Sequence, residues 1–120
     1  MSLNPVIHQP ARLRIMSALS TLSDREQVDF TYLKKNLGLT DGNLGAHLAR
    51  LEQADYLRLD KRFVERKPRT FIAATDVGRL AFARHVEALE AVLRGTTESS
   101  EEMSTRSRHG APTRGIRAPL

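Results

Sequence analysis

Residues 39–56, LTDGNLGAHLARLEQADY, place leucine at 44, 48 and 51 and alanine at 54. Spacings of four, three and three run down one stripe of a helix. Thr40 stands where a helix N-cap belongs. The other side of that helix constrains the chain most: Gly42, Ala46, Ala49 and Gln53, flanked by Asn43 and Arg50. A face that met only water would favour Glu, Lys and Gln, whereas Gly42 and Gly45 each cost about 1 kcal/mol relative to alanine. So lean a face suits close approach by a partner. Upstream, Thr31–Leu37 carries a second helical pattern, capped by Thr31 and ended by Gly38. Two helices joined by a short glycine-containing turn make a helix-turn-helix. Its second helix, about 40–54, has the shape that enters a DNA major groove.

The remaining segments supply a small scaffold. At 120 residues the chain suffices for one domain with a modest core. Pro10 suits the first turn of a helix over Ala11–Leu22, whose apolar face is wide enough for burial on more than one side. Ser23–Gln27 is a polar connection, and Val28–Phe30 is a candidate short strand. Asp55 has to turn the chain after the third helix, a place where glycine would be easiest. The period then changes: residues 56–75 read as a β-hairpin, with Tyr56–Val64 and Phe71–Ala74 as strands and Glu65–Arg69 as a basic tip. Thr75 and Asp76 cap a last helix expected to end near Arg94. Its Phe82, Val86, Leu89 and Leu93 form one stripe, and Val77, Ala81, Ala88 and Val92 a second. From Gly95 onward the apolar period disappears. Residues 95–120 are expected to be a disordered polar tail, leaving 1–94 as the folded domain.

Three helices, a two-stranded wing and a final helix describe a winged helix-turn-helix, mostly α with one β-hairpin. The segments HQPARLRIM (8–16), FTYLKKNLGLTDGNLGAHLARLEQADYL (30–57) and RKPRTFIAATDVGRLAF (66–82) resemble the small stand-alone winged-helix transcriptional regulators related to the MarR and ArsR families. The resemblance spans roughly residues 5–94. Its most specific part joins GLTDGNLGAHLARLE to the T-x-x-G-R of Thr75, Gly78 and Arg79. Such proteins usually carry Gly where this chain has Asp55, and often Ser where it has Gly45. The resemblance implies a homodimer, with the last helix (about 76–94) meeting its copy through Phe82, Val86, Leu89 and Leu93.

Thr40, Gly42, Asn43, Ala46, His47 and Arg50 are the recognition-helix candidates. Asn pairs bidentately with adenine and Arg with guanine; His47 can bond a phosphate or a neighbouring backbone group. Asp41 is better placed to favour the helix dipole than to read a base. On the wing, Arg62, Arg66, Lys67 and Arg69 (within about 62–69) are candidates for phosphates or the minor groove. Each of these has a plainer reading as solvated surface or as charge protecting a sheet edge.

The net charge of +5 suits a polyanionic partner. Without cysteine there are no disulfides or thiolate sites, and His8, His47, His85 and His109 have no ligand spacing. No nucleophile triad, phosphate loop or carboxylate pair stands out. The expectation is a non-enzyme without metal or cofactor that binds double-stranded DNA as a sequence-specific homodimeric regulator. Nothing names a small-molecule effector. No apolar run reaches the ~18 residues of a membrane span and no signal peptide opens the chain, which points to the cytoplasm. The alternative function is a winged helix used as a protein–protein interaction module of the transcription machinery. Scarce aromatic residues argue against RNA.

Overall fold

Pro10 opens the first helix, where its missing N–H leaves no helical bond unmade. In the computed structural model, which describes residues 2–23 and 26–105 and side chains as far as Gly95, that helix is α1 (Pro10–Ser20). The Gln9 side chain caps it by accepting from the Arg12 N–H. There follow β1 (Val28–Asp29), α2 (Phe30–Leu37), α3 (Asp41–Gln53), β2 (Leu57–Val64), β3 (Lys67–Ala74) and α4 (Asp76–Thr105). The winged-helix architecture holds.

Two compact units divide the chain, Ser2–Val86 and the segment from Glu87. The core belongs to the first. Ile7, Ile15, Met16, Leu19, Leu33, Leu37, Leu44, Leu48, Leu51, Leu57, Ile72 and Ala74 form one buried cluster. Every leucine of the α3 stripe is in it, so the predicted inner face is the true one.

Several boundaries differ from the sequence reading. Helix α2 is capped by Asp29, not Thr31: the Asp29 carboxylate accepts the Tyr32 N–H at 3.3 Å. Asp29 is also the last residue of β1, which pairs antiparallel with β3 (Val28 with Ile72, Asp29 with Phe71). The sheet therefore has three strands, in the order β1-β3-β2, and only its outer part is the two-stranded wing. The hairpin tip shrinks from five residues to two. Val64 pairs with Lys67, and Glu65 and Arg66 turn the chain with φ of 52° and 68°. Positive φ at both central residues is the type I′ requirement, which matches strand twist and is usually met by Asn-Gly. Lys67, Pro68 and Arg69 become strand residues. Pro68 faces Phe63 at a non-hydrogen-bonded position of the ladder, where its missing N–H breaks no rung.

Two turns match expectation. Gly38 is left-handed (φ 67°), with its N–H on the Lys35 carbonyl and that of Leu39 on the Lys34 carbonyl. Asp55 takes φ 64°, and the Tyr56 N–H returns to the Leu51 carbonyl at 3.0 Å. Both are Schellman-type closures.

Helix α4 does not stop near Arg94. Its backbone stays helical through Gly95 to Thr105. Residues 96–105 contain no proline, and one internal glycine costs only about 1 kcal/mol. The tail arginines Arg106, Arg108, Arg114 and Arg117 lie outside the described residues, as does the rest of 106–120.

Candidate nucleic-acid interface

Helix α3 begins at Thr40, whose hydroxyl accepts the Asn43 N–H at 3.1 Å. Three residues, 38–40, separate it from α2. A 2.8 Å ion pair between Lys34 and Asp41 ties the two helices across that turn. With Leu44, Leu48 and Leu51 buried, Gly42, Asn43, Ala46, Ala49 and Arg50 are all exposed. A β-carbon at Gly42 or Gly45 would meet nothing within 4 Å among the described residues. The chain's own packing therefore does not demand glycine at either position, and the lean face stays open.

His47 is half-buried at the edge of this face. The Arg12 guanidinium, which also donates from Nε to the Val6 carbonyl, lies 3.3 Å from His47 Nδ1 through Nη1. Arginine can only donate, so Nδ1 accepts, and the neutral ring carries its proton on Nε2. Burial, then the Arg12 charge, holds the His47 pKa below its ordinary value. Arg12 is a positioning residue that periodicity could not identify, because its partner stands 35 residues away.

The wing splits the four predicted cations into two kinds. Arg62 and Arg69 face each other across the strands. Side by side they would repel, but each has an acidic partner: Arg62 Nε lies 3.3 Å from Asp60, and Arg69 Nε 3.3 Å from Asp29. Both guanidinium groups also sit over the Phe71 ring, at 4.2 and 5.6 Å from its centroid. Arg66 at the tip and Lys67 beside it are exposed and form no ion pair among the described residues. Of the four predicted cations, these two are left without an acidic partner, and Lys61 on β2, exposed and outside those ion pairs as well, adds a third such charge.

The hairpin register also reveals a residue that the sequence reading assigned to an ordinary strand. Leu57, Leu59, Phe63, Pro68, Ile72 and Ala74 share one sheet face. Leu57, Ile72 and Ala74 are buried, whereas Phe63 is 75% exposed. The available signal was Phe63's distance from the core, beyond Asp60, Lys61 and Arg62.

On α4, Phe82 packs against the chain's own core, and Val86 is half-buried. The exposed large apolar residues of this part are Leu80 and Val77, the latter from the second stripe. In the segment from Glu87, Leu89 is half-buried, and Val92 and Leu93 are exposed. Among the described residues, no cluster of His, Cys, Asp or Glu could hold a metal ion, and no helix is long and apolar enough to cross a membrane.

The same pattern occurs in known proteins. Residues 11–93 match the family model of the winged helix DNA-binding domain. An uncharacterized protein of Methanocaldococcus jannaschii is 35% identical over 81 residues, covering 68% of this chain and 85% of that protein. The solved structure of a transcriptional regulator homologue from Pyrococcus horikoshii OT3 is 34% identical. It superposes with a TM-score of 0.68 over 76% of this chain and 87% of that one. A PadR family transcriptional regulator from Eggerthella lenta is 26% identical, with a TM-score of 0.54 over 78% and 86% of the two chains.

Proposed function

The chain belongs to the winged helix DNA-binding domain family, and from that premise we propose that it is a sequence-specific, homodimeric regulator of transcription in the cytoplasm. The supporting observation is an open, lean α3 face beside a wing whose tip cations form no ion pair among the described residues. Asn43 and Arg50 read base edges in the major groove, and Gly42 and Ala46 let the helix backbone come close. Thr40 and His47 Nε2–H reach phosphates at the rim. Arg66 and Lys67 hold phosphates through the wing. Arg62 and Arg69 contribute less, because Asp60 and Asp29 already offset their charge.

Self-association runs through the last helix, at Leu89, Val92 and Leu93 of its distal part and Val86 before it, while Phe82, packed on the chain's own core, supports that helix from within. A dimer requires two half-sites about one helical turn, or a multiple, apart. Sedimentation at micromolar concentration should show a dimer, and Leu89→Glu should shift it to monomer by placing a carboxylate in an apolar seam.

Affinities on a selected duplex and on random duplex, at several salt concentrations, test the DNA reading. Arg50→Ala should cost about 1–3 kcal/mol on the selected site and little on random DNA. Neutralising Arg66 and Lys67 should weaken both equally, with a salt slope shallower by about one unit per lost contact. Absence of duplex binding by the unaltered chain at low salt rejects DNA as the partner and favours a protein-interaction module.

A further inference from the structure

The wing carries an apolar element that phosphate binding does not use. Phe63 is 75% exposed, the highest value among the exposed large hydrophobic residues. Its cross-strand partner is Pro68, also exposed, and the two share a face. That face is the one whose inner residues, Leu57, Ile72 and Ala74, cover the helical core. Phenylalanine and proline thus continue the core face outward to the end of the hairpin, where both stay exposed among the described residues. Lys61 on the same strand is exposed, and Arg66 and Lys67 lie within a few residues at the tip.

From this juxtaposition we infer that Phe63, backed by Pro68, is a wedge that enters the DNA minor groove beside the α3 site and partly unstacks one base step. The inference rests on the DNA-binding reading above. An apolar side chain flanked by cations fits this occupant. Lys61 shares its sheet face, Lys67 stands on the opposite face and Arg66 at the tip beside the single acid Glu65. Phosphates on either side of a narrow groove therefore attract the hairpin end, and a ring between base pairs escapes water. A rigid two-residue turn and a proline opposite the aromatic ring stiffen the hairpin, so little side-chain and loop freedom is lost on insertion. The wedge adds sequence preference without a base-specific hydrogen bond, because pyrimidine–purine steps unstack most easily.

Full-length protein and a duplex selected from a random pool provide the test. 2-Aminopurine is placed at successive steps on both sides of the protected sequence. The unaltered chain should raise the fluorescence at one step per half-site, and Phe63→Leu should preserve that rise. Phe63→Ala should abolish it and weaken binding about tenfold, with an unchanged salt slope. Its thermal midpoint should not move, since the ring touches no core. Binding without any fluorescence rise, and with Phe63→Ala equal to the unaltered chain, overturns the wedge while leaving the DNA reading intact. A shift to monomer in Phe63→Ala also overturns it, by assigning the ring to a contact between copies. Failure of the unaltered chain to bind any duplex removes both readings together.

Discussion

Gly78 is pressed against Tyr56: a β-carbon at position 78 would collide with the Tyr56 carbonyl oxygen and lie 2.6 Å from its carbonyl carbon. Thr75 supports this approach from both sides. Its N–H bonds the same Tyr56 oxygen, and its hydroxyl accepts the Gly78 N–H while donating to the Asp55 carbonyl. Next in sequence, the Arg79 guanidinium donates to the Leu22 carbonyl at 2.8 Å and to that of Ser23 at 3.0 Å, just past the end of α1. The T-x-x-G-R pattern therefore joins the hairpin base, the start of α4 and the end of α1.

Gly78→Ala should be the most disruptive single-methyl change in the chain. The obstacle is main chain, which cannot swing aside like a side chain, so the cost should exceed the roughly 1–3 kcal/mol of ordinary overpacking. Urea unfolding should show a lower midpoint. A loss below about 0.5 kcal/mol would mean that the β-strand end shifts freely.

Acidification should destabilise the fold. His85 is 1% exposed, and its Nδ1 accepts the Asn4 backbone N–H at 3.0 Å. The neutral ring therefore carries its proton on Nε2, which lies 3.4 Å from His8 Nδ1. Burial, then the nearby His8, lowers the His85 pKa, and His47 is shifted the same way by burial and Arg12. With folded pKa values below the unfolded ones, the unfolded chain takes up protons that the folded chain resists. Stability should be full above the ordinary histidine value of about 6.5 and fall as pH drops through it toward the folded pKa values. Melting curves between about pH 8 and pH 5 read this directly. His85→Gln should flatten part of the slope, with His47 supplying the remainder.

Asp29 joins the wing to the helix-turn-helix, because one carboxylate oxygen caps α2 at the Tyr32 N–H and the other meets Arg69. Asparagine can still cap, so Asp29→Asn should lose only the half-exposed pair, under about 1 kcal/mol. Asp29→Ala loses the cap as well and should cost about 1 kcal/mol more. Equal costs for the two variants would show that the cap bond contributes nothing.

The hairpin tip should trade stability against binding. Glu65 and Arg66 both sit at positive φ, a conformation that costs L-residues roughly 1–2 kcal/mol each. Replacing the pair with Asn-Gly should raise the thermal midpoint, by about 1 kcal/mol of stability or more. It should also make the salt dependence of DNA binding shallower, by about one phosphate contact. A higher midpoint with unchanged salt dependence would exclude Arg66 from the interface.

Those features whose interactions span a few residues were legible before folding. The Leu44-Leu48-Leu51 stripe, the Thr40 cap, the left-handed turns at Gly38 and Asp55 and the Thr75 start of α4 all close within about one helical turn. Spacing along the chain is their geometry, and it determined both the helix-turn-helix and the lean face of α3. The tertiary structure alone decided which charges stay available. Arg62 and Arg66 look alike in sequence, yet Arg62 lies over Phe71 beside Asp60, and Arg69 is held by Asp29 from 40 residues away. It likewise set the His47 tautomer through Arg12, whereas the α2 cap at Asp29 is a local bond to Tyr32 that the sequence reading passed over in favour of Thr31. A charge or a ring takes its environment from whatever the fold brings alongside, and residue spacing does not encode that when the neighbour lies dozens of positions away.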